Sequence, residues 1–252
     1  YTASAGIAKS DIFADSVSIL ILYYGIFMEE EANMMKQDLK ISLPVYKIGY
    51  SLAFIVILSC VHSVVYVNEI GPAIDGKMAV LTLVFCADTY LIERQSRRRE
   101  VFRLYLIKNQ YYAVLRRITV QIGYLTVISI LAYGMFYWQK PAVLDEKRSG
   151  IFLFLLYCGV VFITIFFWSV LSVTVCNLLQ SVWGGMGMLF PVWLFLVSKA
   201  GEKLLGVWNP FSYEFCEFSE LTEWKWAAGK IITAVCAILL LLLQKKILEK
   251  RG

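Results

Sequence analysis

A single histidine, His62, stands among 252 residues. That excludes the HExxH zinc motif and every iron or copper site built from several histidines. A nucleotide-binding P-loop is missing as well. Glycine precedes lysine only at Gly76-Lys77 and Gly229-Lys230, and neither pair is followed by Ser or Thr. The six cysteines are scattered with no CxxC pair, and all but Cys216 fall inside or at the ends of apolar runs. There a thiol behaves as a small apolar group, so no disulfide framework is expected. Asp11 and Asp15 lie one helical turn apart, but no second acidic pair joins them in the arrangement a magnesium-dependent lipid transferase needs. No metal site is expected. No internal repeat or low-complexity stretch stands out, and the chain opens at Tyr1 without methionine or a cleavable signal pattern, so upstream residues are expected to be missing.

Charge is the other scarce commodity. Only 17% of residues are charged against 59% apolar, and the mean hydropathy is +0.66, outside the usual range of a soluble domain. The apolar residues gather into runs separated by short charged segments, the layout of an all-α polytopic membrane protein. Six spans are expected, over residues 46–67, 78–92, 118–138, 151–175, 181–198 and 228–244. They form one domain, 46–252, preceded by an N-terminal segment, 1–45. Within that segment the run Ser16–Met28 is short for a crossing and reads as an interfacial or re-entrant helix lying on the inner face; if it crosses, the spans number seven. Glu29, Glu30 and Glu31 end it, and Pro44 breaks the chain before the first span.

The net charge of +5 does not point to nucleic acid, because the basic residues concentrate in two places. Segment 93–117 holds Arg94, Arg97, Arg98, Arg99, Arg103, Lys108, Arg116 and Arg117, and the C-terminus adds Lys245, Lys246, Lys250 and Arg251. Six crossings put both on one face, cytoplasmic by the positive-inside rule, with the C-terminus inside. The opposite face receives loops 68–77, 139–150 and the acidic 199–227, with Trp138, Trp208, Trp224 and Trp226 placed as an interfacial belt.

Three features could carry function. Segment 92–118 is too charged to cross lipid, yet Val101, Leu104, Tyr105 and Tyr112 fall at helical spacing. It reads as a cytoplasmic amphipathic helix pair, either a hairpin anchored to anionic headgroups or a lever that docks on a soluble partner. The span 181–198 carries Gly184, Gly185, Gly187 and Pro191, and the stretch 204–215 behind it, with its Asn209-Pro210 turn, reads as a re-entrant outer segment. This pair is either a packing face with an aromatic anchor or an outer gate. Within the apolar runs two ionisable residues are singled out: His62 is read as packed or hydrogen-bonded, or as a proton relay, and Asp88 as snorkelling or paired with an arginine, or as a pathway carboxylate. No set of His, Asp or Glu converges in the spans as an intramembrane enzyme would need.

Taken together, two spans, a charged segment opening with Glu93 and rich in arginine, two more spans, a tight turn at Cys176–Gln180, a fifth span, the WNPFSYEF stretch and a last span with a basic tail resemble the permeases of the ABC-2 type exporter family. The resemblance spans most of the chain and is chiefly architectural. It lacks the Gly/Pro-containing pattern that typically follows the acidic residue. It implies a multi-pass subunit of a bacterial cell membrane, paired with a second permease as homodimer or heterodimer and with two ATPase subunits. Those subunits would bind ATP and Mg, so this chain would hold no cofactor and be no enzyme by itself. The implied roles are ATPase coupling for Glu93, Arg94, Arg97, Arg98, Arg99 and Glu100, a substrate pathway at Phe85, Tyr90, Trp183 and Phe190, and an outer gate at Asn209, Pro210 and Phe211. An aromatic, weakly charged interior suits an amphipathic substrate such as a peptide antibiotic, a lipid-like molecule or a drug. The alternatives are a membrane-embedded lipid- or peptide-processing enzyme and an immunity or scaffold protein that moves nothing.

Overall fold

The computed structural model describes residues 36–91, 107–142, 150–215 and 225–251. Two units are distinguished, Tyr1–Ile41 and Ser42–Gly252. Of the first, residues 36–41 are described, and they are helical. The interfacial run Ser16–Met28, Asp11 with Asp15, and the segment from Glu93 to Glu100 lie outside the described residues.

The second unit is a bundle of helices, with no strand among the described residues beyond an isolated bridge between Tyr66 and Ala142. In chain order they are α1 (Val45–Val61), α2 (Ile70–Cys86), α3 (Ile107–Trp138), α4 (Gly150–Leu179), α5 (Val182–Val197), the short α6 (Lys199–Leu205) and α7 (Ala227–Arg251). Three of them are long and apolar enough to cross a membrane: α3 over Tyr111–Trp138, α4, and α7 over Ala227–Gln244. The number rises to five if Lys36–Ser42 with α1, and α5 with Lys199–Trp208, each count as one span. The chain is thus a helical membrane protein. Helix α2 belongs to neither group: it has 17 residues and contains Asp75 and Lys77.

Yet α2 is the centre of the bundle. Thirteen of its 17 residues are buried, on every face of the helix, and α1, α3, α4 and α5 all pack on it. A short helix enclosed by others meets little lipid, so it does not need the hydropathy of α4, which is apolar on all sides.

Several boundaries differ from the sequence-derived ones, each for a local reason. The first helix stops at Val61, short of Val67. His62 turns extended, and the following Val64, Val65 and Val67 are β-branched residues that favour the extended backbone joining Ala142 through paired Val67–Ala142 and Ala142–Val65 hydrogen bonds. The second helix starts at Ile70, eight residues before the expected Met78, so that 70–77 is helix rather than loop. Pro72 sits in its first turn, where proline is tolerated. It ends at Cys86 and passes into turns over 87–90. Helix α3 begins at Ile107 and runs unbroken into the apolar stretch, so the end of the basic segment and the third span are one helix. The tight turn after α4 is narrower than Cys176–Gln180. Helix α4 continues to Leu179, Gln180 takes positive φ, and Ser181 caps α5 by accepting from the Gly184 amide at 3.1 Å. Helix α7 continues through the basic tail to Arg251.

The glycines of α5 divide by surroundings. A side chain at Gly185 would strike Cys176 of α4, whereas Gly187 faces open space. Gly185→Val is therefore expected to force α4 and α5 apart at a cost of about 1–3 kcal/mol. Thermal unfolding in detergent should show the loss, while Gly187→Val should leave the midpoint close to that of the unaltered chain.

Candidate functional site

The apolar bundle holds an ionic cluster drawn from four segments. On α2, Asp75, Gly76 and Lys77 are consecutive, and the helical step of about 100° per residue turns them toward different neighbours. Asp75 faces α4 and α7 and is wholly buried. Its Oδ1 accepts from the Thr164 hydroxyl of α4 at 2.6 Å, and its Oδ2 from the Lys230 ammonium of α7 at 2.5 Å. Lys230 also donates to the Thr164 oxygen at 2.7 Å and stands 5.5 Å from the centre of the Phe211 ring, over its face. Both carboxylate oxygens and the ammonium are thus engaged, the condition under which a buried pair is tolerated.

Lys77 faces the other way, toward the turn 209–215, and donates to Oε1 of Glu214 at 3.2 Å. Glu214 Oε2 is buried without a hydrogen-bond partner. It lies against Gly76, where an added Cβ would collide with it. Burial pushes the Glu214 carboxyl above the ordinary glutamate value, with Lys77 pulling the other way.

The turn itself is built from its first residue. Asn209 Oδ1 accepts from the Phe211 amide at 2.9 Å, closing an Asx-turn, while Asn209 Nδ2 donates to the Leu196 carbonyl at 2.9 Å. The Ser212 hydroxyl donates to the Trp226 carbonyl at 2.7 Å. Phe211 stacks on Trp168 of α4 at 6.0 Å, and Tyr213 packs on Trp226 at 5.1 Å. Three glycines make room for it: Gly71 under the Tyr213 hydroxyl, Gly76 under Glu214, and Gly229 under the Asn209 carbonyl. The turn is a plug seated between α2, α4 and α7.

A second ionic site sits at the opposite end of α2. Lys47 of α1, almost wholly buried, pairs with Asp88, donates to the Phe85 carbonyl at 2.7 Å and lies 5.1 Å from the centre of the Phe85 ring. The Tyr46 hydroxyl donates to the same carboxylate at 3.2 Å. Gln121 of α3 accepts from Thr89 at 2.8 Å alongside. The partner of Asp88 is thus a lysine of the first span, not an arginine or the interface.

The residues singled out from sequence do not gather in one place. Phe85 is buried in the core between Tyr50 and Tyr124, with Tyr90 half-buried nearby. Trp183 and Phe190 lie seven residues apart on one face of α5 and are 82% and 43% exposed. Asn209 and Phe211 are buried in the plug and Pro210 is half-buried at its start. His62 is exposed beyond the end of α1, edge-on to Phe136. Sequence reasoning missed Asp75, Lys77, Thr164, Glu214, Lys230 and Lys47. The signal available for Lys47 and Lys230 was a lysine standing inside an apolar run, which lipid does not accept without a partner.

Chemically the main cluster is closed. Thr164, Lys230 and Asp75 bring a hydroxyl, an amine and a carboxylate together, yet none of the three lines the cleft that opens beyond the plug. Among the described residues no three His, Cys, Asp or Glu side chains are placed to hold a metal ion. Compared with protein-family models, with curated proteins and with solved structures, the chain has no match.

Removing one partner of the inner pair leaves a charge stranded in the bundle. Lys230→Met or Asp75→Leu alone is expected to cost about 3–5 kcal/mol, and the double variant to recover most of it. Chemical denaturation in mixed micelles measures both, and additive losses would contradict the pairing. Glu214 gives a pH test. A carboxyl raised in the folded state favours folding in its protonated form, so its contribution is whole below the ordinary glutamate range and is lost as pH rises through the folded value. Amide protection of 209–215, corrected for intrinsic exchange, should increase on acidification from neutrality. In Glu214→Gln that trend should disappear.

Proposed function

We propose that the chain is the membrane permease subunit of an ATP-driven exporter, crossing the bilayer six times with α1, α2, α3, α4, α5 and α7. The observation that carries this reading is the continuity of α3. It is one helix of 32 residues, about 48 Å long at 1.5 Å per residue, against a hydrocarbon core of about 30 Å. Its candidate span begins at Tyr111, and the helix runs from the end of the basic segment through Arg116 and Arg117 into the apolar stretch without a break. A displacement applied there enters the bilayer as rotation or tilt of the whole helix rather than being absorbed at a hinge.

In this reading the basic face is cytoplasmic and two ATPase subunits, binding ATP and Mg, grip the segment containing Glu93, Arg94, Arg97, Arg98, Arg99 and Glu100. A second permease, the same or related, faces this one. The exposed aromatic face of α5, with Trp183 and Phe190, supports a pathway between the two copies for an amphipathic substrate. The buried turn at Asn209, Pro210 and Phe211 then closes its outer end by alternating access.

Affinity purification in mild detergent should bring down a soluble subunit bearing a P-loop. Changing Arg97, Arg98 and Arg99 to Glu should abolish permease-stimulated ATP hydrolysis by that subunit with membrane insertion intact. Ala113→Pro, which interrupts α3 between the segment that the ATPase subunits would grip and the span, at a local cost of about 3 kcal/mol, should leave the subunit bound and uncouple its hydrolysis from transport. A chain that purifies alone, or triple-variant turnover equal to the unaltered protein's, would count against the reading.

A further inference from the structure

Beyond the plug, on the side away from Asp75, a cleft of about 580 Å³ opens between α6 and the start of α7. Among the described residues its walls bring together Lys199 and Lys203 of α6 and Lys225 before α7, with Glu202 as the carboxylate. Its aromatic residues are Phe215 and Trp226. Lys199 and Lys203 are four residues apart, a spacing at which like charges repel along a helix. Among the described residues, neither they nor Glu202 form an ion pair. A concavity whose described lining sets three lysines against one carboxylate beside an apolar side is complementary to a phosphate group carried on a hydrocarbon chain.

Placement on the fold selects the source. Ser198 ends α5 and caps α6, donating to the Phe195 carbonyl at 2.7 Å and accepting from the Gly201 amide at 3.2 Å. The chain bends there by 73°. A span followed by so sharp a bend delivers the next segment along the membrane plane. That segment exposes Leu204, Val207 and Trp208, the apolar and aromatic residues of an interfacial helix. The lysines therefore lie at headgroup depth beside surfaces suited to acyl chains.

We propose that this cleft is a binding site for the phosphate headgroup of an anionic phospholipid of the bilayer. Lys199 and Lys203 contact the phosphate, and Phe215 and Trp226 contact the first part of the lipid chain. The site rests on the proposed crossing of the bilayer by α5, but a lipid bound here needs neither ATPase nor second permease. It touches the plug through Ser212 and Phe215, which line the cleft from within the turn 209–215.

The test uses the full chain in nanodiscs of phosphatidylcholine doped with a photoactivatable phosphatidylglycerol, followed by mass-spectrometric mapping of the labelled peptides. Labelling is expected within 199–226, competed by unlabelled phosphatidylglycerol and not by additional phosphatidylcholine. Lys199→Gln with Lys203→Gln should weaken it about tenfold or more, while leaving the unfolding midpoint and labelling of the basic C-terminus unchanged. Equal labelling by a phosphatidylcholine probe, or undiminished labelling of the double variant, would overturn the proposal. So would competition by inorganic phosphate in place of phosphatidylglycerol, which would assign the lysines to a soluble phosphate compound.

Discussion

The pairing of Asp75 with Lys230 is the constraint to which the rest of the bundle answers. Neither charge is tolerable alone among apolar helices, and the two become so only at hydrogen-bond distance with their remaining valences filled. Thr164 supplies the missing donor to the carboxylate and the missing acceptor for the ammonium. That requirement fixes the register of three helices at once. An all-apolar contact among α2, α4 and α7 could slip by a turn and keep most of its packing, whereas a slip of one turn, about 5.4 Å, breaks every bond of this cluster. The face of Lys230 not used by Asp75 and Thr164 needs a cover that does not strand it, and the ring of Phe211 provides one. The 209–215 turn is consequently a structural partner of the ion pair.

The parts of the fold legible in the sequence are those whose cause is local. A continuous apolar run identifies a span by itself, and so α3, α4 and α7 were found in the right places. The expected start of α2 at Met78 is eight residues late, and the turns it leaves out carry Asp75 and Lys77. Their neutralising partners stand 155 and 137 positions away in the chain, at Lys230 and Glu214. No window of sequence contains both halves of either pair. Lys47 and Asp88 repeat the lesson at the other end of the helix. The two Gly-Lys dipeptides that fail as phosphate-binding loops turn out to supply this cluster. Gly76 leaves room for Glu214, Lys77 pairs with it, Gly229 leaves room for Asn209, and Lys230 pairs with Asp75.

The aromatic assignments divide along the same line. Trp183 and Phe190 share a helical face by simple periodicity, and the structure exposes both. Phe85 was grouped with them because it is large and apolar. It is instead packed between Tyr50 and Tyr124 and held under Lys47. Whether an aromatic residue faces outward or inward depends on which helix is central, and that is a property of the bundle. Asn209-Pro210 was legible as a turn, since Asn closes an Asx-turn from its own side chain. Its burial was not, because it depends on glycines at positions 71, 76 and 229 lying beneath it.

These contacts also give the proposed lever a physical route. Helix α3 touches α2 through Gln121 with Thr89 and through Tyr124 with Phe85, close to the end where Lys47 and Asp88 tie α2 to α1. A tilt of α3 thus bears first on a helix that is clamped by an ion pair at each end. Such a helix transmits displacement along its axis, because bending it would open buried charges while translating it strains both pairs together. At its far end the first group to be disturbed is Glu214, the least satisfied member of the cluster, with one oxygen unbonded against Gly76. The weak point of the ionic network lies where α2 meets the plug, whereas both carboxylate oxygens of Asp75 are bonded.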